Sequence, residues 1–150
     1  MPIVVPNNIL IPEVGRILDS GRDVVLMAKG NSMLPFIVGE RDSVRLRKCG
    51  AESLGIGDIV LAEAQDGVYV LHRIIKIDGE KFILHGDGNL KKYECCTGEK
   101  ILGRVTGLIG PDGNERNPGK ARLWLLLCPF AQHYLAVFYY RVIYRFIQGK

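Results

Sequence analysis

The 150-residue chain has the length of one ordinary domain, which leaves little room for two independent cores. Apolar residue types make up 47% and charged types 24% of the sequence, with 18 Gly and 7 Pro, and this balance excludes a disordered or collagen-like chain. The formal net charge of +4 is too small to indicate nucleic acid by itself, so we expect no nucleic-acid partner.

The N-terminal segment predicts a short helix. The first ten residues contain no Lys or Arg and lack the basic start and apolar middle of a secretory signal, so we expect no signal there. Apolar residues then recur at helical spacing from Ile9 to Ser20, and Gly21 is a suitable stop. This gives an N-terminal helical segment over 1–22.

A series of short strands follows. Strand-like composition bounded by Gly, Asp or Asn occurs at 23–28, 43–47, 58–62, 68–77, 81–84 and 101–109. Hairpin turns are predicted at 65–67 and 78–80, and the stretch 110–120, rich in Gly, Pro and Asn, is predicted to be a closing loop. The succession predicts a mainly β, antiparallel domain over 23–110.

The C-terminal segment, 121–150, has a different character. It is strongly apolar and aromatic, and we expect hydrophobic helices, with Pro129 either in the first turn of one helix or at a kink between two. The 18 residues from Leu123 to Tyr140 are short for a bilayer span, and Pro129, Gln132 and His133 weigh against one. The segment therefore packs against protein or lies at a membrane surface, which leaves the location cytoplasmic or membrane-associated.

The four cysteines show no metal-site or disulfide pattern. Cys49, Cys95, Cys96 and Cys128 lack the paired two-residue spacing of zinc ligands, so we expect reduced thiols and no metal. Cys95 and Cys96 are adjacent, and neighbouring residues of an extended segment point to opposite faces.

A serine follows a glycine turn in Gly30-Asn31-Ser32. Such a placement exposes the hydroxyl and lets nearby backbone amides face a carbonyl, as acyl transfer requires. Taken alone, Ser32 is better explained as a turn residue or a helix cap than as a nucleophile.

Two further groups could complete a proton-transfer chain with Ser32. His72 falls in a predicted strand whose alternation places it among apolar side chains, where a neutral imidazole is favoured. Asp87, flanked by Gly86 and Gly88, could orient the imidazole and stabilise its protonated form. Each also has an ordinary explanation, a half-buried strand histidine and a β-turn aspartate.

The blocks GNSMLP, GDIVL, HRII and GDGN occur in the order found in signal peptidase I. Over 24–109 the chain resembles the clan that unites these peptidases with LexA-type self-cleaving repressors. It is most similar to the branch of archaea and the endoplasmic reticulum, where the base is histidine. The resemblance implies a LexA-like or signal-peptidase-like β fold and a catalytic set of Ser32, His72 and Asp87.

The resemblance also implies supporting roles. Stabilisation of the tetrahedral intermediate is assigned to backbone donors, chiefly the Ser32 amide, because some members carry a hydroxyl where this chain has Gly30. The predicted oxyanion and substrate cleft comprises Gly30, Asn31, Met33 and Pro35, and the predicted supporting residues are Asp58 and Asn89.

The chain departs from the family at two places. No apolar anchor precedes Ser32 in this sequence, which puts secretion duty at a membrane in doubt. The final block has Gly88 where GDNN is common, which implies a turn with more freedom.

The resulting hypothesis is a serine endopeptidase that cleaves an extended segment of a peptide or protein substrate without a cofactor. Lys76 is a competing base that even spacing places on the same strand face as His72, but it is displaced by roughly 13 Å along the strand, so both residues cannot serve one hydroxyl. A self-cleaving repressor is disfavoured because it would need a DNA-binding helix-turn-helix before the β domain, and the 23 residues there are too few to form one. A catalytically silent peptide-binding or membrane-docking protein remains the alternative.

Overall fold

The structure, a computed structural model, describes residues 6–145, without the side chains of Ile143 and Tyr144. Residues 1–5 and 146–150 lie outside the described residues. The expectation about a secretory signal and the end of the predicted C-terminal segment fall partly on them.

An antiparallel sheet dominates the described residues. Its strands follow the path β1-β2-β7-β3-β4-β5-β6, and β8 pairs with β7. The strands are β1 (Val24–Met27), β2 (Ser43–Arg47), β3 (Ile59–Gln65), β4 (Val68–Asp78), β5 (Lys81–His85), β6 (Tyr93–Thr97), β7 (Ile101–Ile109) and β8 (Glu115–Arg116). The predicted mainly β, antiparallel class is confirmed.

Helices lie at the two ends of the described chain. Helix α1 (Asn7–Asp19) precedes the sheet, and α2 (Arg122–Leu125), α3 (Pro129–Phe138) and a π-helical turn (Tyr139–Tyr144) follow it. Two 3-10 turns occupy Ala51–Ser53 and Gly98–Lys100. Gly21 has a φ of 84° and follows the end of α1, as predicted, because its left-handed conformation allows the chain to leave the helix.

The packing of α1 explains its apolar spacing. Ile11, Val14 and Leu18 are buried in a cluster with side chains of β2, β3 and β7. A second cluster contains Ile74, Phe82, Leu84 and other residues of β3 to β7. The strand that carries His72 thus lies between well-packed neighbours, which hold its backbone in a fixed register.

The sequence located most of the strands but missed two. The predicted strands at 43–47 and 101–109 have the observed bounds, and the others agree to within a few residues. The two predicted hairpin turns are confirmed between β3 and β4 and between β4 and β5. Strand β6 was not predicted, and the predicted closing loop 110–120 contains the short β8.

Alternation along β4 is interrupted by a bulge. Ile74 pairs with Leu84 but Lys76 pairs with Ile83, so the register shifts between these positions. The expectation that Lys76 shares the face of His72 assumed unbroken alternation, and the bulge removes its basis. Lys76 is exposed, whereas His72 is buried.

The C-terminal helices pack on the loop that contains Ser32. Pro129 lies in the first turn of α3, one of its two predicted positions. Ala136 is buried with Leu34 and Val38, and Tyr139 and Tyr140 pack against the same cluster. Within residues 6–145, no helix is long and apolar enough to cross a membrane.

Candidate active site

Ser32 and His72 come together from distant parts of the sequence. Ser32 lies in the turn that follows β1, and His72 lies within β4 opposite Val60 of β3. The Ser32 hydroxyl oxygen is 3.1 Å from Nε2 of His72. His72 is 5% exposed and Ser32 is half-buried, so the imidazole is sheltered while the hydroxyl reaches the surface.

The other nitrogen of the His72 ring contacts Glu94. Nδ1 of His72 lies 2.7 Å from Oε2 of Glu94, which is buried on β6. The Glu94 carboxylate accepts a hydrogen bond from the Nδ1–H of His72. Nε2 then carries no proton and can accept a hydrogen bond from the Ser32 hydroxyl. Ser32, His72 and Glu94 therefore form a continuous chain of hydrogen-bonding groups.

Asp87 does not occupy the position predicted for it. Its carboxylate accepts two hydrogen bonds from the buried guanidinium of Arg73, at 2.8 Å from Nε and 2.7 Å from Nη2. The expected contact of Asp87 with His72 is therefore corrected, and Glu94 occupies that position. Successive residues of a strand point to opposite faces, so the side chains of His72 and Arg73 leave β4 on opposite sides.

The Arg73 and Asp87 pair supports the loops around the site. Arg73 also donates to the carbonyl oxygens of Gly57 and Gly119, at 2.7 Å and 3.2 Å, and its guanidinium lies over the Phe36 ring. Burial raises the pKa of Asp87, and the Arg73 guanidinium acts in the opposite direction. Each charge depends on the other, because neither is in contact with bulk water.

Gly88 connects this carboxylate loop to the Ser32 turn. Its N–H donates to the Ser32 carbonyl at 2.8 Å. A Cβ at Gly88 would lie 3.1 Å from the Leu34 carbonyl oxygen, 3.2 Å from that of Asn31 and 3.3 Å from Cβ of Ala136. The glycine thus permits close approach of its own loop, the Ser32 turn and α3. The expectation that Gly88 gives the turn more freedom is wrong, because this position is tightly packed.

The Ser32 turn depends on a second close approach of glycines. A Cβ at Gly39 would overlap the carbonyl oxygen of Gly30, and Gly30 itself has a φ of 74°. Within the described residues, the N–H of Ser32 donates no hydrogen bond to another protein group. This amide is a free donor beside the hydroxyl, as an oxyanion hole requires.

An open cleft of about 310 Å³ adjoins the Ser32 hydroxyl. Ala28 to Gly30 border one side and Tyr69 to His72 border the other, with Met33 and Asn89 also in the wall. Of the other predicted cleft residues, Asn31 is exposed at the turn and Pro35 is half-buried after a cis peptide bond. A larger depression of about 510 Å³ near Phe82 is lined by other residues and does not include Ser32 or His72.

Two strand edges border the cleft region. β1 is at one end of the sheet path, and β5 pairs only with the Arg73 to Asp78 part of β4. The segment from Val68 to His72 therefore has one unpaired edge among the described strands. Unpaired strand edges can bind an extended peptide through backbone hydrogen bonds.

Asp58 lies in the turn before β3, away from this hydrogen-bonded chain. Its carboxylate accepts the Gly55 N–H at 2.9 Å and lies 3.7 Å from Arg104 and 3.6 Å from Lys120. These contacts order the turn before β3, so Asp58 supports the fold near the site and takes no part in the hydrogen-bonded chain of Ser32, His72 and Glu94.

Glu94 was not among the residues predicted for the site. It lies in YECCT, which carries two cysteines and no run of β-branched residues. The available signal was alternation, since Glu94 and Cys96 face inward while Tyr93, Cys95 and Thr97 face solvent. A glutamate on the inward face of a strand requires a partner, and His72 is that partner.

Neither comparison with known proteins finds a relative. No protein-family model matches the chain, and no curated protein is significantly similar to it. Within residues 6–145, no group of three His, Cys, Asp or Glu side chains could hold a metal ion.

Proposed function

We propose that this protein is a serine endopeptidase of the signal-peptidase type, with Ser32 as nucleophile, His72 as general base and Glu94 as the orienting carboxylate. The observation that carries the proposal is the chain Ser32 Oγ, His72 Nε2, His72 Nδ1 and Glu94 Oε2, with distances of 3.1 Å and 2.7 Å. Its hydroxyl end adjoins an open cleft, as a peptide substrate requires.

The LexA-like or signal-peptidase-like fold is part of this proposal. It is supported by the antiparallel sheet and by the order of the blocks GNSMLP, GDIVL, HRII and GDGN. The site differs from the catalytic set that the resemblance implies, because the carboxylate at the imidazole comes from β6 rather than from the GDGN block.

In acylation, Ser32 attacks the substrate and His72 transfers the proton. Nε2 of His72 accepts the Ser32 proton as Oγ forms a bond to the scissile carbonyl carbon, and the negative charge moves to the carbonyl oxygen. The free Ser32 N–H is placed to donate to that oxygen. The C–N bond then breaks, and the protonated imidazole gives its proton to the departing amine.

Deacylation repeats the sequence with water. The water oxygen attacks the carbonyl carbon of the Ser32 ester while His72 accepts a proton from the water. When the ester bond breaks, His72 returns that proton to Oγ of Ser32. Glu94 remains ionised beside the imidazole and stabilises its protonated form in both steps. Because Glu94 and His72 are buried, this electrostatic stabilisation is stronger than the same pair would give in water.

The peptide is proposed to bind in extended form against the unpaired edge of Val68 to His72. Backbone hydrogen bonds to a strand edge give affinity with weak demands on sequence. Side chains of the substrate then fill the cleft, where Met33 and Tyr69 provide apolar walls.

Labelling with an active-site-directed phosphonate or boronate tests the proposal, with intact mass or inhibition as the readout. We expect modification of the wild-type chain and none of Ser32→Ala. Ser53, the hydroxyl of a 3-10 turn that bonds to the Gly50 carbonyl, provides a matched control, and Ser53→Ala should react like wild type. Reaction that persists in Ser32→Ala would exclude Ser32 as the reactive nucleophile. No reaction and no peptide hydrolysis by a folded wild-type chain would favour the catalytically silent alternative.

A further inference from the structure

The C-terminal helices expose a large apolar surface. We call its six most regularly spaced members the C-terminal apolar face: Leu123, Leu126, Phe130, Tyr134, Phe138 and Val142. Leu123 is 83% exposed, Leu126 81% and Phe130 71%. Phe130, Tyr134 and Phe138 recur every four residues along α3 and lie on one side of it, whereas Leu123 lies in α2, Leu126 in the turn between the helices and Val142 in the π-helical turn. Isolated exposed apolar residues are common, but a succession of large exposed apolar side chains in one short segment marks an interaction site.

The opposite side of the same helices is held by the protein. Ala136 is buried against the Ser32 turn, and His133 Nδ1 donates to the Gly88 carbonyl at 2.7 Å. Trp124 Nε1 donates to the Asp87 carbonyl at 3.2 Å, and Gln132 donates to the Trp124 carbonyl at 2.7 Å. The orientation of the helices is thus fixed, and the apolar face is directed outward because its other side is already occupied.

The charged residues of the C-terminal stretch are of one sign. From Arg116 to Lys150 the sequence has six Lys or Arg and no Asp or Glu. Arg122 and Arg141 are exposed and lie near the two ends of the apolar face. A second copy of the chain would bring like charges together across a two-fold interface, which disfavours self-association through this face. An anionic surface matches the charge of both exposed arginines, Arg122 and Arg141.

We propose that the C-terminal apolar face docks the protein on the surface of an anionic lipid bilayer. The helices lie in the interface plane, with the leucine and phenylalanine side chains among the acyl chains and the arginines at the headgroups. The aromatic rings suit this depth, because amphipathic aromatic groups concentrate at membrane interfaces. This mode needs no membrane-spanning helix.

Docking would set the orientation of the Ser32 cleft relative to the bilayer. Trp124 and His133 bond to the loop that holds Asp87 and Gly88, and Gly88 bonds to Ser32. The bilayer-facing helices and the cleft thus belong to one packed unit. The docking itself does not depend on catalysis, so it is tested without turnover.

Vesicle flotation with the full-length chain tests the proposal. Vesicles of phosphatidylcholine with roughly 30 mol% phosphatidylserine are compared with vesicles of phosphatidylcholine alone. We expect binding to the anionic vesicles that weakens with salt, and at least roughly tenfold weaker binding to the neutral ones. The double variant Leu126→Glu/Phe130→Glu should lose binding. Ile56→Glu is the matched control, because Ile56 is 52% exposed in a turn outside the face, and it should bind like wild type.

A second pair of substitutions tests the charge without changing the apolar face. Arg122→Gln/Arg141→Gln should fold normally, since both side chains are exposed, and each change should weaken anionic-vesicle binding roughly fivefold. Near-UV circular dichroism checks the fold of every variant. Light scattering in the absence of lipid reports the oligomeric state.

Three outcomes would overturn the proposal. One is absence of wild-type binding to anionic vesicles, and another is equal binding to neutral and anionic vesicles. The third is a dimer in solution that the Leu126→Glu/Phe130→Glu variant dissociates, since a second copy would then cover the face. Loss of peptidase activity in Ser32→Ala with vesicle binding retained would separate this proposal from the proposed function.

Discussion

The carboxylate of Glu94 lies 2.7 Å from Nδ1 of His72, whereas the carboxylate of Asp87 lies 2.7 Å from Nη2 of Arg73. The two buried carboxylates therefore have separate partners. Glu94 contacts the imidazole that faces Ser32, whereas Asp87 neutralises a guanidinium that ties together the surrounding loops. This division predicts different consequences for the loss of each carboxylate.

Replacing Glu94 should impair the chemical step. Glu94→Gln keeps an oxygen that can accept the Nδ1 proton but removes the charge that stabilises protonated His72. We expect kcat to fall by a factor on the order of 10² to 10⁴ with little change in KM. Steady-state hydrolysis of a peptide substrate and the rate of phosphonate labelling measure the effect. A variant that keeps wild-type kcat would exclude Glu94 from the mechanism.

Replacing one partner of the Arg73 and Asp87 pair should chiefly reduce stability. Asp87→Asn leaves a buried guanidinium without its countercharge, at a cost of about 3–5 kcal/mol in the free energy of unfolding. Urea unfolding of the variant measures this cost. Asp112→Asn makes the same substitution on an exposed turn and serves as the control.

The double variant Arg73→Met/Asp87→Leu refines that prediction. It should lose less stability than the sum of its single changes, because no unpaired charge remains buried. It still leaves the Gly57 and Gly119 carbonyls without their donor, so we do not expect full recovery. Additive losses would show that the pair is not energetically coupled.

His85 should make stability depend on pH. It is buried against the Tyr93 ring, its Nε2 has no partner among the described residues, and burial lowers its pKa, with His72 acting in the same direction. The unfolded chain therefore takes up the proton first. The stability that His85 contributes is present above its unfolded-state pKa of about 6.5 and is lost as pH falls toward its lower folded-state pKa.

The substitution His85→Phe tests this dependence because it keeps a ring on Tyr93 and removes the titrating group. We expect the Tm of the variant to fall less than that of wild type between about pH 7.5 and about pH 5.5. Thermal unfolding by circular dichroism across that range gives the comparison. Equal slopes for the two proteins would show that His85 does not carry the effect.

His72 and Lys76 should differ sharply in their importance for activity. His72→Ala should keep its fold, since the backbone ladder of β4 remains, and should lose turnover by a factor on the order of 10² to 10⁴. Lys76→Ala should keep kcat/KM within about twofold, because Lys76 is exposed beyond the bulge and surface changes are usually mild. The reverse pattern would identify lysine as the base.

Much of the architecture was predictable because its causes are local. Apolar spacing marked α1, and Gly21 marked its end, because a left-handed residue there costs glycine little. The hairpins at Asp66-Gly67 and around Gly79 were predictable because the turn residues and the alternating strands adjoin them. Strand β6 escaped because its sequence has weak strand propensity and its position depends on pairing with β5.

The sequence by itself brought attention to Ser32 and His72, since a glycine turn and an alternating strand are local patterns that suggest where each side chain points. Only the tertiary structure decided which carboxylate meets the imidazole. That choice depends on the register between strands, where Glu94 pairs with Leu84, and on the face that each residue occupies. A shift of one residue reverses the face, so the partner of His72 follows from long-range pairing that no short stretch of sequence specifies.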